Sequence, residues 1–222
     1  GQRHAVPPTL VITALAHVPD ADAVVTPDLK AAGNVLVLVG RTGVEFGGSH
    51  FGLIHGHAVH QGVVPAPDPD APARYRRLHT QLTAGRVRAC HDVSEGGLAV
   101  ALAEMAIAGG HGVEVTALPH ADATTALFSE SSGRLVCEVA AADLAAFLDG
   151  MGEPVHVLGT TTATPTLAVP GWSLPLDALR AAFHAGPDYA FVTVSAEVDA
   201  EAPYRTRNST HGGTAAPASR SW

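Results

Sequence analysis

Cysteine is nearly absent: the 222-residue sequence has two, Cys90 and Cys137, each inside an apolar stretch. So few, so placed, do not make a disulfide framework, and they read as reduced core residues. Basic residues are also scarce, with 13 Lys and Arg against 21 Asp and Glu and a formal net charge of -8. That balance argues against a protein that grips nucleic-acid backbones, which needs clustered Lys and Arg. The one basic cluster, Arg74, Arg76 and Arg77, reads as a solvated helix face. No apolar run approaches the ~18 residues needed to span a membrane. The opening Gly1-Gln2-Arg3-His4 shows no apolar signal segment, so a cytoplasmic location is expected, and the sequence reads as a portion of a longer protein.

Several chemical signatures are missing too. His55, His57 and His60 lie close together, yet no Cys-x-x-Cys or His-Glu-x-x-His spacing supports them, so no zinc site is assigned. No nucleophile elbow or Ser–His–Asp order stands out, and there is no internal repeat.

What is present is a folded-domain composition, 46% hydrophobic and 15% charged. Thr9–Leu15 is apolar and β-branched and reads as a strand. Val35–Val39 is continuously apolar between glycines, as a strand buried on both faces would be. A glycine-rich loop and a His- and Gly-rich stretch follow, and residues 65–72, with four prolines, form an exposed connection. The pattern then predicts a surface helix over 73–84, a strand over Arg86–Cys90, a tight loop over His91–Gly97 and a helix over Leu98–Ala108. On that helix Leu98, Ala101, Leu102 and Met105 share one face while Val100 and Ile107 lie on the other, which predicts burial on both sides. Val113–Thr116, Leu135–Val139 and Val155–Leu158 read as strands, and Ala141–Leu148 and Leu176–Phe183 as helices. The sum is an α/β (α+β) domain with helices packed on a mixed sheet of four to six strands. A domain is expected over residues 1–187, followed by a polar, disordered tail over 188–222 whose sequon at Asn208 carries no meaning.

Three clusters could carry chemistry. In His91-Asp92-Val93-Ser94-Glu95-Gly96-Gly97-Leu98, Ser94 is placed to cap the helix, and the Gly96 and Gly97 amides can approach an anion at its positive end. Asp92, at the strand end, can hold a divalent cation that neutralises a phosphate. A capped strand-to-helix turn, with glycines present only for packing, accounts for the same residues. In Ser129-Glu130-Ser131-Ser132-Gly133-Arg134, hydroxyls, a carboxylate and a guanidinium suit a hydroxyl-rich or phosphorylated ligand, while a polar turn with an Arg–Glu pair is the plainer reading. Phe46-Gly47-Gly48-Ser49 is either a phosphate-approaching loop or a β-turn.

Taken in chain order, these three segments resemble phosphoribosylformylglycinamidine synthase, over about residues 6–187. They look like the second copy of its C-terminal-type domain, which is shared with aminoimidazole ribonucleotide synthetase. Pro7-Pro8-Thr9 and Gly33-Asn34-Val35 support the match, although the family usually has Asp where Asn34 stands. The resemblance implies an ATP-dependent ligase of purine biosynthesis. That enzyme activates formylglycinamide ribonucleotide as an iminophosphate, which ammonia from glutamine converts to the amidine. It implies Mg2+ and ATP or ADP as cofactors, with upstream ATP-binding-type domains and a glutaminase domain or subunit as partners. No catalytic residue is implied in this segment. Asp92 would bind magnesium at an auxiliary site, with Ser94, Gly96 and Gly97 on the nucleotide. Glu130, Ser131, Ser132 and Arg134 would line a substrate or phosphate pocket. Aminoimidazole ribonucleotide synthetase, thiamine-monophosphate kinase, selenophosphate synthetase and the hydrogenase-maturation carbamoyl dehydratase share the domain type. A purely structural domain is the alternative from another class.

Overall fold

The run Val35–Val39 forms β1, and every one of its side chains is buried. Leu36 and Leu38 enter one hydrophobic core, and Val35, Val37 and Val39 enter a second. Strand alternation thus divides a uniformly apolar run between two sheet faces. This computed structural model describes residues 11–18, 20–56 and 62–185. The described residues from Ala16 onward belong to one compact unit. The polar tail, the sequon, His57 and His60 lie outside the described residues.

Around β1 the chain builds β2 (Val87–Val93), β3 (Gly112–Val115), β4 (Arg134–Val139), β5 (Val155–Thr162), β6 (Thr166–Val169) and β7 (Trp172–Pro175). They form one seven-stranded sheet in the order β2-β4-β1-β5-β3-β6-β7, against the four to six strands expected. Only the β3–β6 pairing is parallel. The expected strand at Thr9–Leu15 is not formed over its described residues 11–15, where Val11, Ile12 and Leu15 are exposed.

Helices cover both faces. On one, α2 (Ala71–Thr83) and α5 (Leu144–Met151) bring Leu78, Phe147 and Met151 onto Val37, Cys137 and Val139. On the other, α3 (Gly97–Gly109) lays Leu98, Ala101, Leu102 and Met105 against Leu36, Leu38 and Val113. Fully burying each large aliphatic side chain contributes about 1.5–3 kcal/mol, so this stripe anchors the helix that opens the candidate site. Val100 is exposed, so α3 is not enclosed on every side as expected. It ends at Gly110 in the left-handed region (φ 70°), which a Cβ would strain. The remaining helices are α1 (His50–Ile54), α4 (Ala123–Phe128) and α6 (Leu176–Ala185).

Among the described residues three charged side chains are buried, Arg74, Glu138 and Arg134, the last of them at the candidate site. Arg74 is only 1% exposed and Arg77 half-buried, so of the cluster only Arg76 lies on a solvated face. Its Nη2 donates to Asp68 at 2.5 Å and to the Gly133 carbonyl, while Arg77 donates to the Met151 carbonyl. Glu138, fully buried on β4, accepts from the Lys30 and Ala31 amides and from Asn34 Nδ2 at 2.6 Å. That carboxylate fastens the segment leading into β1.

Candidate functional site

The site grows from the end of β2. Pairing with β4 continues through Asp92↔Leu135 and Val93↔Arg134, so His91, Asp92 and Val93 are strand residues where a loop was expected. The turn shrinks to Ser94-Glu95-Gly96. Ser94 does not cap α3 with its side chain: Gly96, at φ 79°, occupies the N-cap, and the Ser94 carbonyl accepts from the Gly97 amide at 3.1 Å. The Ser94 side chain is exposed instead. Gly97 is required by space as well as by its φ of +71°. A Cβ there would sit 2.7 Å from the Ser129 carbonyl oxygen and 2.8 Å from that of Leu127.

Glu130 joins this turn to the glycine loop. Its Oε1 accepts from the Gly96 amide and from the His50 amide, both at 2.8 Å, so one carboxylate oxygen serves the N-cap of α3 and the first residue of α1. In the glycine loop, Ser49 accepts from the Gly52 amide through its Oγ and so caps α1, a helix the sequence pattern does not predict. Phe51 lies between Phe46 and Phe128, with ring centroids at 5.3 and 5.5 Å, and packs the loop onto the end of α4. The His55 ring packs against Phe51 in a tilted arrangement, with centroids 4.3 Å apart.

The hydroxyls divide by burial. Ser129 and Ser131 are buried. Ser129 Oγ donates to the Gly43 carbonyl at 2.6 Å, and Ser131 Oγ accepts from the Gly43 amide at 2.9 Å. Ser132 is exposed and donates to the Ala66 carbonyl. Arg134 is 1% exposed and donates to the carbonyls of Ser131 and Ser129 and to Thr42 Oγ1. Burial lowers its pKa to about 10, against the opposing fields of Glu45 and Glu130, so it remains charged at neutral pH. No Arg134–Glu ion pair forms among the described residues, and the guanidinium braces its own loop.

An open cleft of about 440 Å³ lies over these elements. Asp92, Ser94 and Glu95 line it from β2 and its turn, and Glu130, Ser132 and Arg134 line it from the other cluster. The fold therefore brings together two segments separated by more than thirty residues. Ser131, Gly96 and Gly97 are not on its wall. Asp92 and Glu95 present carboxylates 69% and 77% exposed.

Among the described residues no three His, Cys, Asp or Glu side chains are grouped to hold a metal by themselves. The donor set still suits magnesium, which binds through one or two carboxylates, water and ligand phosphates. Such an ion would arrive with a phosphorylated ligand, and Asp92 would be its protein ligand.

Two neighbours of the site receive no role from the sequence. His91 reaches both ways, with Nε2 3.1 Å from the Glu104 carboxylate on α3 and Nδ1 2.7 Å from the Asp92 carbonyl. Tyr75 adds an aromatic wall from α2. Only the packing of α3 and α2 beside β2 could reveal them. Among the described residues, no helix is long and apolar enough to cross a membrane.

Comparison with known proteins gives consistent matches. Residues 31–170 match the family described as AIR synthase related protein, C-terminal domain. The phosphoribosylformylglycinamidine synthase subunit PurL of Parafrankia sp. (strain EAN1pec) is 41% identical over 161 residues, covering 68% of this chain and 20% of the relative. The chain thus spans about a fifth of the length of that relative. Among solved structures, T. maritima PurL complexed with FGAR superposes with a TM-score of 0.62 at 19% identity, over 72% of this chain and 30% of that one. T. maritima PurL complexed with ATP gives 0.57 at 19% identity, over 72% and 27%. At that identity the structures speak for the fold, a mixed sheet with packed helices.

Proposed function

Because the chain belongs to the AIR synthase related C-terminal domain family, we propose that it serves as the second such domain of a phosphoribosylformylglycinamidine synthase. In this reading it is part of the cytoplasmic, ATP-dependent ligase that converts formylglycinamide ribonucleotide, ATP and glutamine-derived ammonia to the amidine. Upstream ATP-binding-type domains carry the chemistry, a glutaminase domain or subunit supplies ammonia, and residues 188–222 are a polar tail outside the domain's sequence. The relative from Parafrankia is itself named as a subunit, in keeping with a multi-part enzyme.

The domain contributes ligand contact and no catalytic residue. Asp92 holds Mg2+ and Ser94 touches the nucleotide, ADP or ATP, while Glu130 and Ser132 bound the same cleft. The observation that carries this reading is the convergence of Asp92, Ser94, Glu130 and Ser132 on one open cleft. The roles of Gly96, Gly97, Ser131 and Arg134 narrow to shaping it, since their polar groups already have protein partners. That same saturation favours the second reading, a domain whose work is structural support of its neighbours.

Calorimetry of Mg-ADP binding, on the chain and on its Asp92→Ala variant, separates the two. Binding that disappears in the variant supports the nucleotide reading. Absence of binding in both leaves the structural one.

A further inference from the structure

The two cysteines are far apart in sequence and adjacent in space. Cys90 on β2 lies directly opposite Cys137 on β4 in an antiparallel pair, and their sulfurs are 3.8 Å apart. The Cys90 amide points away from β4 and donates to the Thr26 carbonyl. The Cys90–Cys137 pair therefore occupies a non-hydrogen-bonded position, where opposed Cα atoms approach to about 4.5 Å and side chains lie closest. Disulfides accept Cα separations of about 4.4–6.8 Å. Rotation about χ1 can thus bring the sulfurs to bonding distance without moving either strand.

We propose that Cys90 and Cys137 are a modification site, a dithiol that hydrogen peroxide converts to a reversible cross-strand disulfide. Cys90 is the more exposed of the two, and Cys137 is fully buried beside Phe147 and Met151. Cys90 attacks the peroxide, the O–O bond breaks, and the sulfur becomes a sulfenic acid with one water released. Cys137 then attacks that sulfur, the S–O bond breaks, the S–S bond forms and a second water leaves. Two thiols and one peroxide give one disulfide and two waters. The new bond ties edge strand β2 to β4 two residues before Asp92, so it braces the strand pair carrying the cleft. This inference is independent of the nucleotide reading.

The test treats the folded full chain with hydrogen peroxide and counts thiols under denaturing conditions, with peptide mapping by mass spectrometry. Titratable thiols should fall from two to none, with a Cys90–Cys137 linked peptide, a monomeric product, an unchanged far-UV spectrum and full recovery on reduction. In Cys137→Ser, Cys90 should instead accumulate as a sulfenic acid trapped by dimedone. Cys137 remaining reduced while Cys90 is overoxidised or links two chains would overturn the proposal. So would a disulfide that forms only after urea has unfolded the chain.

Discussion

Removing the Glu130 carboxylate tests whether this residue holds the site together or merely decorates it. Its Oε1 accepts from two amides at 2.8 Å. The Gly96 amide is half-buried, and a hydrogen bond there to a charged acceptor contributes about 1.5–3 kcal/mol. The His50 residue is exposed, so water replaces much of that second bond and it adds at most about 0.5 kcal/mol. Glu130→Ala should therefore lower unfolding free energy by about 2–3 kcal/mol. Glu130→Gln keeps an acceptor oxygen and loses only the charge facing the start of α3, for about 0.3–1 kcal/mol. With a urea m-value of about 2 kcal/mol/M, the midpoint should fall by about 1–1.5 M for the Ala variant and under about 0.5 M for Gln. Urea titration followed by circular dichroism reads both, and amide exchange at Gly96 localises the effect. Equal losses in the two variants would refute the reasoning, because the acceptor geometry would then be irrelevant.

Two further outcomes follow from the same structure. Gly97→Ala and Gly110→Ala both place a Cβ in the left-handed region at about 1–2 kcal/mol, but only Gly97 would also drive it into the carbonyls of Ser129 and Leu127. Gly97→Ala should lose about 1–3 kcal/mol more than Gly110→Ala, and equal denaturation midpoints would deny the close approach. Asp68 has its carboxyl pKa lowered from 3.8, first by the hydrogen bond from Arg74 and then by the Asp70 amide. A depressed carboxyl stabilises the fold above its unfolded pKa and loses that stabilisation as pH falls through the lower folded value. Asp68→Asn should accordingly flatten the acid limb of the stability profile below about pH 4, as read by thermal melts across pH, and an unaltered slope would contradict the pairing.

Legibility followed periodicity and failed where partners decide. Val35–Val39 announced a doubly buried strand because five consecutive apolar residues leave no solvent face. Leu98, Ala101, Leu102 and Met105 gave the buried stripe of α3 by their spacing. β7 is exposed along all four residues and carries no burial pattern, while β6 alternates with Leu167 and Val169 buried but over only four residues, too few to stand out. The end of β2 was misplaced because His91 and Asp92 look like loop residues, and only their pairing with Val136 and Leu135 makes them strand. α4 has an Asp122 cap on the Thr125 amide but only six residues, too few for helical periodicity to emerge.

The polar residues teach a different lesson, since type alone misassigns them. The buried positions of α2 are Ala71, Arg74, Leu78 and Gln81, spaced three, four and three apart. Arg74 thus falls on the core-facing stripe, and the spacing that identifies Leu78 as buried would identify Arg74 too, had its charge not suggested solvent. Asn34 shows the converse. An Asp at this position, as the resemblance leads one to expect, would set a second carboxylate where Asn34 Nδ2 now donates at 2.6 Å to buried Glu138. Opposed carboxylates at hydrogen-bond distance cannot both ionise without penalty. The amide at Asn34 and the carboxylate at Glu138 therefore form one unit, separated by 104 residues in sequence. In the same way, Ser131 and Arg134 match a motif by type but spend their polar atoms on Gly43, Thr42 and their own loop. Asp92 and Ser94 keep exposed side chains on the cleft. A motif nominates residues for ligand contact, and the hydrogen-bond partners decide which of them have atoms left to offer.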